Sequence, residues 1–331
     1  NTLEPDLIIP AAATAAILVQ GATRRTTGAT ELTPQSPQRH ERRLRPQGRA
    51  ARRGSMTLNV LRAALRSLAL LSPRLAGRWL YRRWFTTHRF AEPEREARWR
   101  RHGTAITVAG QNGPLSLYRW GEGPCVLLLH GWNGRGTQMG GFAAPLVEAG
   151  YCAVALDAPG HGRSPGGSTT IFEIIDAVER VAEAVGPLAG VITHSFGAMV
   201  VARALRDGLP AARVVCIAPP ARLTFLIDSF CRTVRAPLSA RADLVRRLEH
   251  RFGNDIERQI AADINAAGVS VPALIIHDRD DPDVPWQQGE LLAHAWPGAR
   301  LLLTRGLGHT RILRNRNVIQ TSVDFIAGKP Q

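Results

Sequence analysis

The segment GVITHSFGAMVVARALR, residues 190–206, decides the fold. It begins as a short apolar run, Val191 to Thr193, and passes through Ser195 and Gly197 directly into an alanine-rich stretch with helical character. A strand that turns at once into a helix belongs to a strand–helix unit of a parallel sheet. The turn is tight, so bulk on its flanks meets neighbouring backbone. The flanking residues are Thr193 and Gly197, and threonine is the largest side chain such a turn accepts. Ser195 read alone is also an ordinary helix cap.

Working outward, the same punctuation recurs. CVLLLHGW from Cys125 and YCAVALDAPGHGRS from Tyr151 are apolar runs that end in glycine-rich loops, and RVVCIAPP, PALIIHD and ARLLLT follow downstream. Runs apolar at every position suit strands buried on both faces. Helical stretches are expected near Met139–Ala149, Ile171–Ala184, Phe196–Arg206, Gln287–Ala295 and Val318–Ile326. TAITVAGQNGPLSLYRW, residues 104–120, reads as a hairpin about Gln111-Asn112-Gly113. The fold class is therefore α/β, a mostly parallel doubly wound sheet, and ligands of such sheets lie beyond the carboxyl ends of the strands.

Three strand ends carry chemistry. Ser195 follows one strand, and a serine hydroxyl needs an imidazole to take its proton. His309, in LLLTRGLGHTRIL, lies just beyond the last strand. The imidazole in turn needs a carboxylate, and HDRDDPDVP after Ile276 offers Asp278, Asp280, Asp281 and Asp283. The chain order is serine, acid, histidine.

On these residues, together with His130-Gly131-Trp132 and the run Asp157 to Ser164, the chain from Gly103 to Ala327 resembles the α/β-hydrolase superfamily in its compact bacterial esterase-like members. The departures are Thr193, where the family elbow has glycine, and Asp278, where its acid loop does. The resemblance implies a catalytic triad of Ser195, His309 and Asp281, with Asp280 as the fallback acid, and an oxyanion hole from the amides of Trp132 and Phe196. It also implies that Asp157 and His161 shape the floor of the site, and that residues of about 220–271 form a small helical lid. Within the lid, Phe225, Leu226 and Phe230 are either acyl-pocket residues or the face that holds the lid on the body. Arg135 or Gln138 would either meet a substrate carboxylate or open a surface helix. The expected activity is hydrolysis of a small-molecule carboxylic ester with no cofactor and no metal. C–C bond hydrolysis or acyl transfer by the same residues is the alternative.

The remaining residues read differently. Of 331 residues, 42 are Lys or Arg and 27 Asp or Glu, a net charge of +15. Residues 1–101 hold 20 arginines against 7 acidic residues, and residues 102–331 are nearly neutral. Residues 1–55 are rich in Arg, Pro, Gln and Thr and are expected to be disordered, with Met56 as the natural start. Residues 56–101 read as an amphipathic helical extension. It either packs on the body or touches a membrane surface peripherally through residues 56–90, and its apolar runs are too short to span a bilayer. A non-catalytic protein binding nucleic acid or membrane through this basic front is the rival from another class, although no nucleic-acid partner is expected. Cys125, Cys152, Cys216 and Cys231 have neither metal-site nor disulfide-scaffold spacing and read as buried free thiols, which fits a cytoplasmic protein.

Overall fold

The computed structural model describes residues 48–329, with side chains from residue 59 onward. Eight strands form one sheet: β1 (Thr104–Gly110), β2 (Gly113–Trp120), β3 (Cys125–Leu129), β4 (Cys152–Asp157), β5 (Gly190–His194), β6 (Val214–Ile217), β7 (Ala273–Asp278) and β8 (Arg300–Thr304). Their order is β1-β2-β4-β3-β5-β6-β7-β8. The β1–β2 and β2–β4 pairs are antiparallel, and β2 ends where the parallel part begins.

The unbroken apolar runs have a direct cause. Along β3, Cys125, Leu127 and Leu129 face one core and Val126 and Leu128 the other, and β6 and β7 divide in the same way. Helices cover both faces, so both sides of these strands are lined by apolar residues. The helices fall near their expected places, at Ile171–Val185, Gly197–Arg206, Trp286–Ala295 and Arg316–Ile326. The stretch expected as a helix from Met139 is instead a 3₁₀ segment, Gly136–Phe142, leading into the short helix Ala143–Glu148. Four glycines fall within Gly134–Gly141, and glycine disfavours a regular helix.

Of the segment expected to be disordered, residues 1–47 lie outside the described residues. Residues 48–55 are helical, within Gly48–Leu71, so this helix begins ahead of Met56. Ala50, Ala51 and the arginines around them are strong helix formers. Two more helices, Pro73–Trp84 and Glu94–His102, complete the extension. The first two helices of the extension pack on the lid, which comprises the helices Leu223–Val234, Leu238–Phe252, Ile256–Ile260 and Ala262–Ala266, and Glu94–His102 packs on the body. Gly77 allows the close approach, because a Cβ there would collide with the side chain of Asp243. Leu61, Leu65 and Leu80 join the same core as Leu244 and Leu248 of the lid.

Candidate active site

Register places the parts. Leu129 pairs with Thr193, so the loop after β3 emerges beside the end of β5. Asp278 pairs with Thr304, so the loops after β7 and β8 leave the sheet side by side. Ser195, His309 and the aspartate cluster thereby meet at one edge, as the crevice rule for such sheets requires.

Ser195 has φ of +51°, in the left-handed region that costs a non-glycine residue roughly 1–3 kcal/mol. Its amide donates to Ile217 O at 2.8 Å, which anchors the turn to β6. Gly197 is forced, because a Cβ there would lie 2.5 Å from Thr193 Oγ1 and 3.1 Å from His130 O. Threonine in place of the family's glycine is thus accommodated beside Gly197. Its hydroxyl is fully buried, and no partner is found for it among the described residues. A buried hydroxyl of this kind costs about 1–3 kcal/mol. Thr193→Val, close in shape, is therefore expected to raise stability by about 1 kcal/mol in urea denaturation, and a loss of stability would mean that the hydroxyl is satisfied.

Ser195 Oγ lies 3.0 Å from His309 Nε2, and His309 Nδ1 lies 2.8 Å from Asp281 Oδ2. The other oxygen of Asp281 accepts from the amides of Asp283 at 2.8 Å and Val284 at 3.0 Å. Burial pushes the Asp281 carboxyl up, but hydrogen bonds from His277 and His309 outweigh it and hold the group well below the ordinary carboxylate range. Two further histidines brace the pair. His194 Nε2–H donates to His309 O at 2.8 Å. Burial, then the neighbouring His309, lowers the His194 pKa to about 3, so its ring is neutral. His277 Nε2–H donates to Val284 O at 2.9 Å and lies 3.4 Å from Asp281 Oδ2. Neither His194 nor His277 was singled out in the sequence, where each is one polar residue at the end of an apolar strand.

The remaining aspartates have other work. Asp278 accepts from Thr304 Oγ1 at 2.7 Å and from the amides of Asp280, Gly308 and Leu307 at 3.0, 3.0 and 3.1 Å. Burial raises its pKa, but these donors lower it further, and the net shift is downward. A residue that replaces the family's glycine thus pins the loop that carries His309. Asp280 accepts from Gly306 N at 2.8 Å in the same loop. Asp281, Asp283 and His309 offer ligand atoms within 4.8 Å of one another. The spacing suits a cation, but His309 Nδ1 and Asp281 are already bonded to each other.

Asp157 and His161 are both buried. Asp157 accepts from Gly136 N at 2.6 Å and Arg163 N at 2.8 Å. His161 lies against the rings of His130 and Trp132. Arg135 is not free to meet a substrate. Its Nη1 donates to Phe90 O at 2.7 Å, and its Nε lies 3.0 Å from Glu96 Oε2, an ion pair whose N–H is off the hydrogen-bond line. Gln138 does line the pocket.

That pocket, of about 280 Å³, runs from Ser195, His309, Trp132 and Phe196 into the lid. Phe225 and Phe230 both line it, with Leu226, Leu248 and Ile260. Trp132 and Phe196, the expected oxyanion donors, meet edge to face at 5.3 Å between ring centroids. One wall was not foreseen, since Arg83, Trp84 and Phe85 of the N-terminal extension also line the pocket. Trp84 meets Phe230 edge to face at 5.4 Å, and Phe85 lies 6.0 Å from Phe252. The sequence signal was there in Trp79, Tyr81, Trp84 and Phe85, four aromatics within seven residues.

A model of the alpha/beta hydrolase family matches residues 126–321, more than half of the chain. The chain belongs to that family. It is 25% identical over 253 residues to a pimeloyl-[acyl-carrier protein] methyl ester esterase of Aeromonas hydrophila, a match covering 65% of this chain and 99% of that one. Among solved structures, a bromoperoxidase from Bacillus anthracis aligns with a TM-score of 0.53 at 19% identity, covering 68% of this chain and all of that one. An esterase from Exiguobacterium antarcticum aligns with a TM-score of 0.53 at 16% identity, covering 67% and 99%. At these identities the structural likeness establishes the fold. The family match begins in β3, so the helices that supply Arg83, Trp84 and Phe85 lie ahead of it.

Proposed function

We propose that the protein hydrolyses a small-molecule carboxylic ester through an acyl-enzyme on Ser195. The observation that carries this reading is the hydrogen-bonded chain from Ser195 through His309 to Asp281 at the floor of an apolar pocket. His309 takes the Ser195 proton as Oγ attacks the carbonyl, then returns it to the leaving alcohol. Asp281 holds the ring and stabilises the imidazolium. The amides of Trp132 and Phe196 receive the oxyanion, and water attacking the acyl-enzyme restores the serine. The esterase name of the Aeromonas relative supports the same chemistry. The four free thiols suit a reducing, cytoplasmic setting, and no described helix is long and apolar enough to cross a membrane.

The test is release of p-nitrophenol from acetate, butyrate, octanoate and palmitate esters, with a vinylogous diketone and an acyl acceptor tried beside them. Butyrate and octanoate are expected to turn over fastest, because acetate leaves the apolar lining unfilled. Turnover of the diketone alone would favour C–C hydrolysis. Trp84 closes the pocket from outside the family-matched region, so Trp84→Ala is expected to shift kcat/KM toward the longer esters by about tenfold relative to butyrate. An unchanged profile would remove the extension from the acyl site.

A further inference from the structure

The first two helices of the extension bury one face on the lid and leave another unusually apolar. In Gly48–Leu71, Leu61, Leu65 and Ala69 face the core, yet the outer face carries Val60, Ala63, Ala64, Leu70 and Leu71. A helix apolar on both sides at a protein surface lacks a partner on one of them. Leu70 is 88% exposed, Leu71 85% and, on the lid, Leu238 83%. These residues share one corner. Helix Pro73–Trp84 runs parallel to Leu238–Phe252, since Gly77 abuts Asp243, Tyr81 OH lies 3.3 Å from Arg251 Nη1, and Phe85 meets Phe252. Leu71 and Leu75 therefore lie at the same end as Leu238. Arg62 joins the corner to the lid by donating through Nε and Nη2 to Thr233 O at 3.1 and 2.8 Å. Thr233 also lines the pocket.

Charge selects the occupant. Residues 59–91 contain seven arginines and no acidic residue. Arg66, Arg74, Arg78, Arg232 and Arg235 are exposed around the leucines, and none has an ion-pair partner among the described residues. We propose that Leu70, Leu71, Leu75 and Leu238, ringed by these arginines, dock the protein on an anionic lipid surface. Leucines inserted at the headgroup boundary lose contact with water while the arginines meet lipid phosphates. A second copy fits poorly, because a two-fold contact would set the arginines against their own equivalents. Nucleic acid would leave the leucines exposed. Docking is independent of the ester reading, since vesicle binding is measured without turnover.

The experiment is co-sedimentation of the full chain with phosphatidylcholine vesicles that contain or lack phosphatidylglycerol. Binding is expected with phosphatidylglycerol, weakened by salt, and weak without it. The variant Leu70→Glu/Leu71→Glu/Leu238→Glu should lower the bound-to-free ratio at least about tenfold while leaving butyrate ester turnover and the circular-dichroism spectrum unchanged. Should that variant fold poorly, Arg66→Gln/Arg74→Gln/Arg78→Gln is expected to lower binding by a similar factor. No binding to the anionic vesicles would overturn the proposal, as would equal binding by a folded leucine variant. So would a dimer in sedimentation equilibrium that the leucine variant dissolves, because the corner would then be a self-association face.

Discussion

Ser195→Ala is expected to lose at least about 10⁴-fold in kcat on p-nitrophenyl butyrate with its fold intact. The size of the effect follows from what the hydroxyl touches. Oγ is 3.0 Å from His309 Nε2, and the proposed acyl-enzyme is built on it. The rest of the site survives the change. The backbone at residue 195 keeps its φ of +51° and its amide bond to Ile217 O, since neither depends on Oγ. Ser195→Gly provides a second comparison. It removes the same nucleophile but also relieves the left-handed strain, so it should be more stable than Ser195→Ala by about 1 kcal/mol. Equal turnover by Ser195→Ala and the parent would move the nucleophile elsewhere and defeat the proposed mechanism. A fall in turnover matched by a fall in melting temperature would assign the loss to folding instead.

The parallel part of the sheet was legible in the sequence because burial on both faces leaves an unbroken apolar run, and β3, β4, β5, β6 and β7 all show one. Ser195 and His309 were legible because each follows such a run directly. Other features were hidden for physical reasons. Trp84 and Phe85 reach the pocket only because their helix packs on a lid more than a hundred residues away, a contact that local periodicity does not encode. His194 and His277 lie inside strands whose pattern records only burial, and their hydrogen bonds depend on which loops come to rest above them. Arg135 is a loop arginine by sequence, and its burial against Phe90 and Glu96 depends on where the extension settles. Asp278 departs from the family pattern, and its four donors come from its own loop and from β8 and the loop beyond it, so the sequence shows the departure without its compensation.

Asp281→Asn is expected to lower kcat by about 10³–10⁴-fold, whereas Asp280→Asn should cost about tenfold or less. The two residues are adjacent, and the sequence alone left both open as the acid. Their surroundings differ. Asp281 Oδ2 meets His309 Nδ1 at 2.8 Å, and an amide nitrogen turned there would present a donor to a ring that must itself donate. The ring would then favour the tautomer that cannot take the Ser195 proton. Asp280 instead accepts from Gly306 N, three residues from His309, so its loss loosens the loop without changing the tautomer. Stability should separate the variants as well. The Asp281 carboxyl is held below its ordinary range in the folded protein, so the charge contributes stability above the unfolded carboxylate pKa and loses it as pH falls through the lowered folded value. Asp281→Asn should therefore be less stable than the parent at neutral pH, with the gap narrowing on acidification. If Asp280→Asn showed the larger loss of turnover and the pH-dependent gap, the acid would be Asp280, and the bond between Asp281 and His309 would not be the one that catalysis uses.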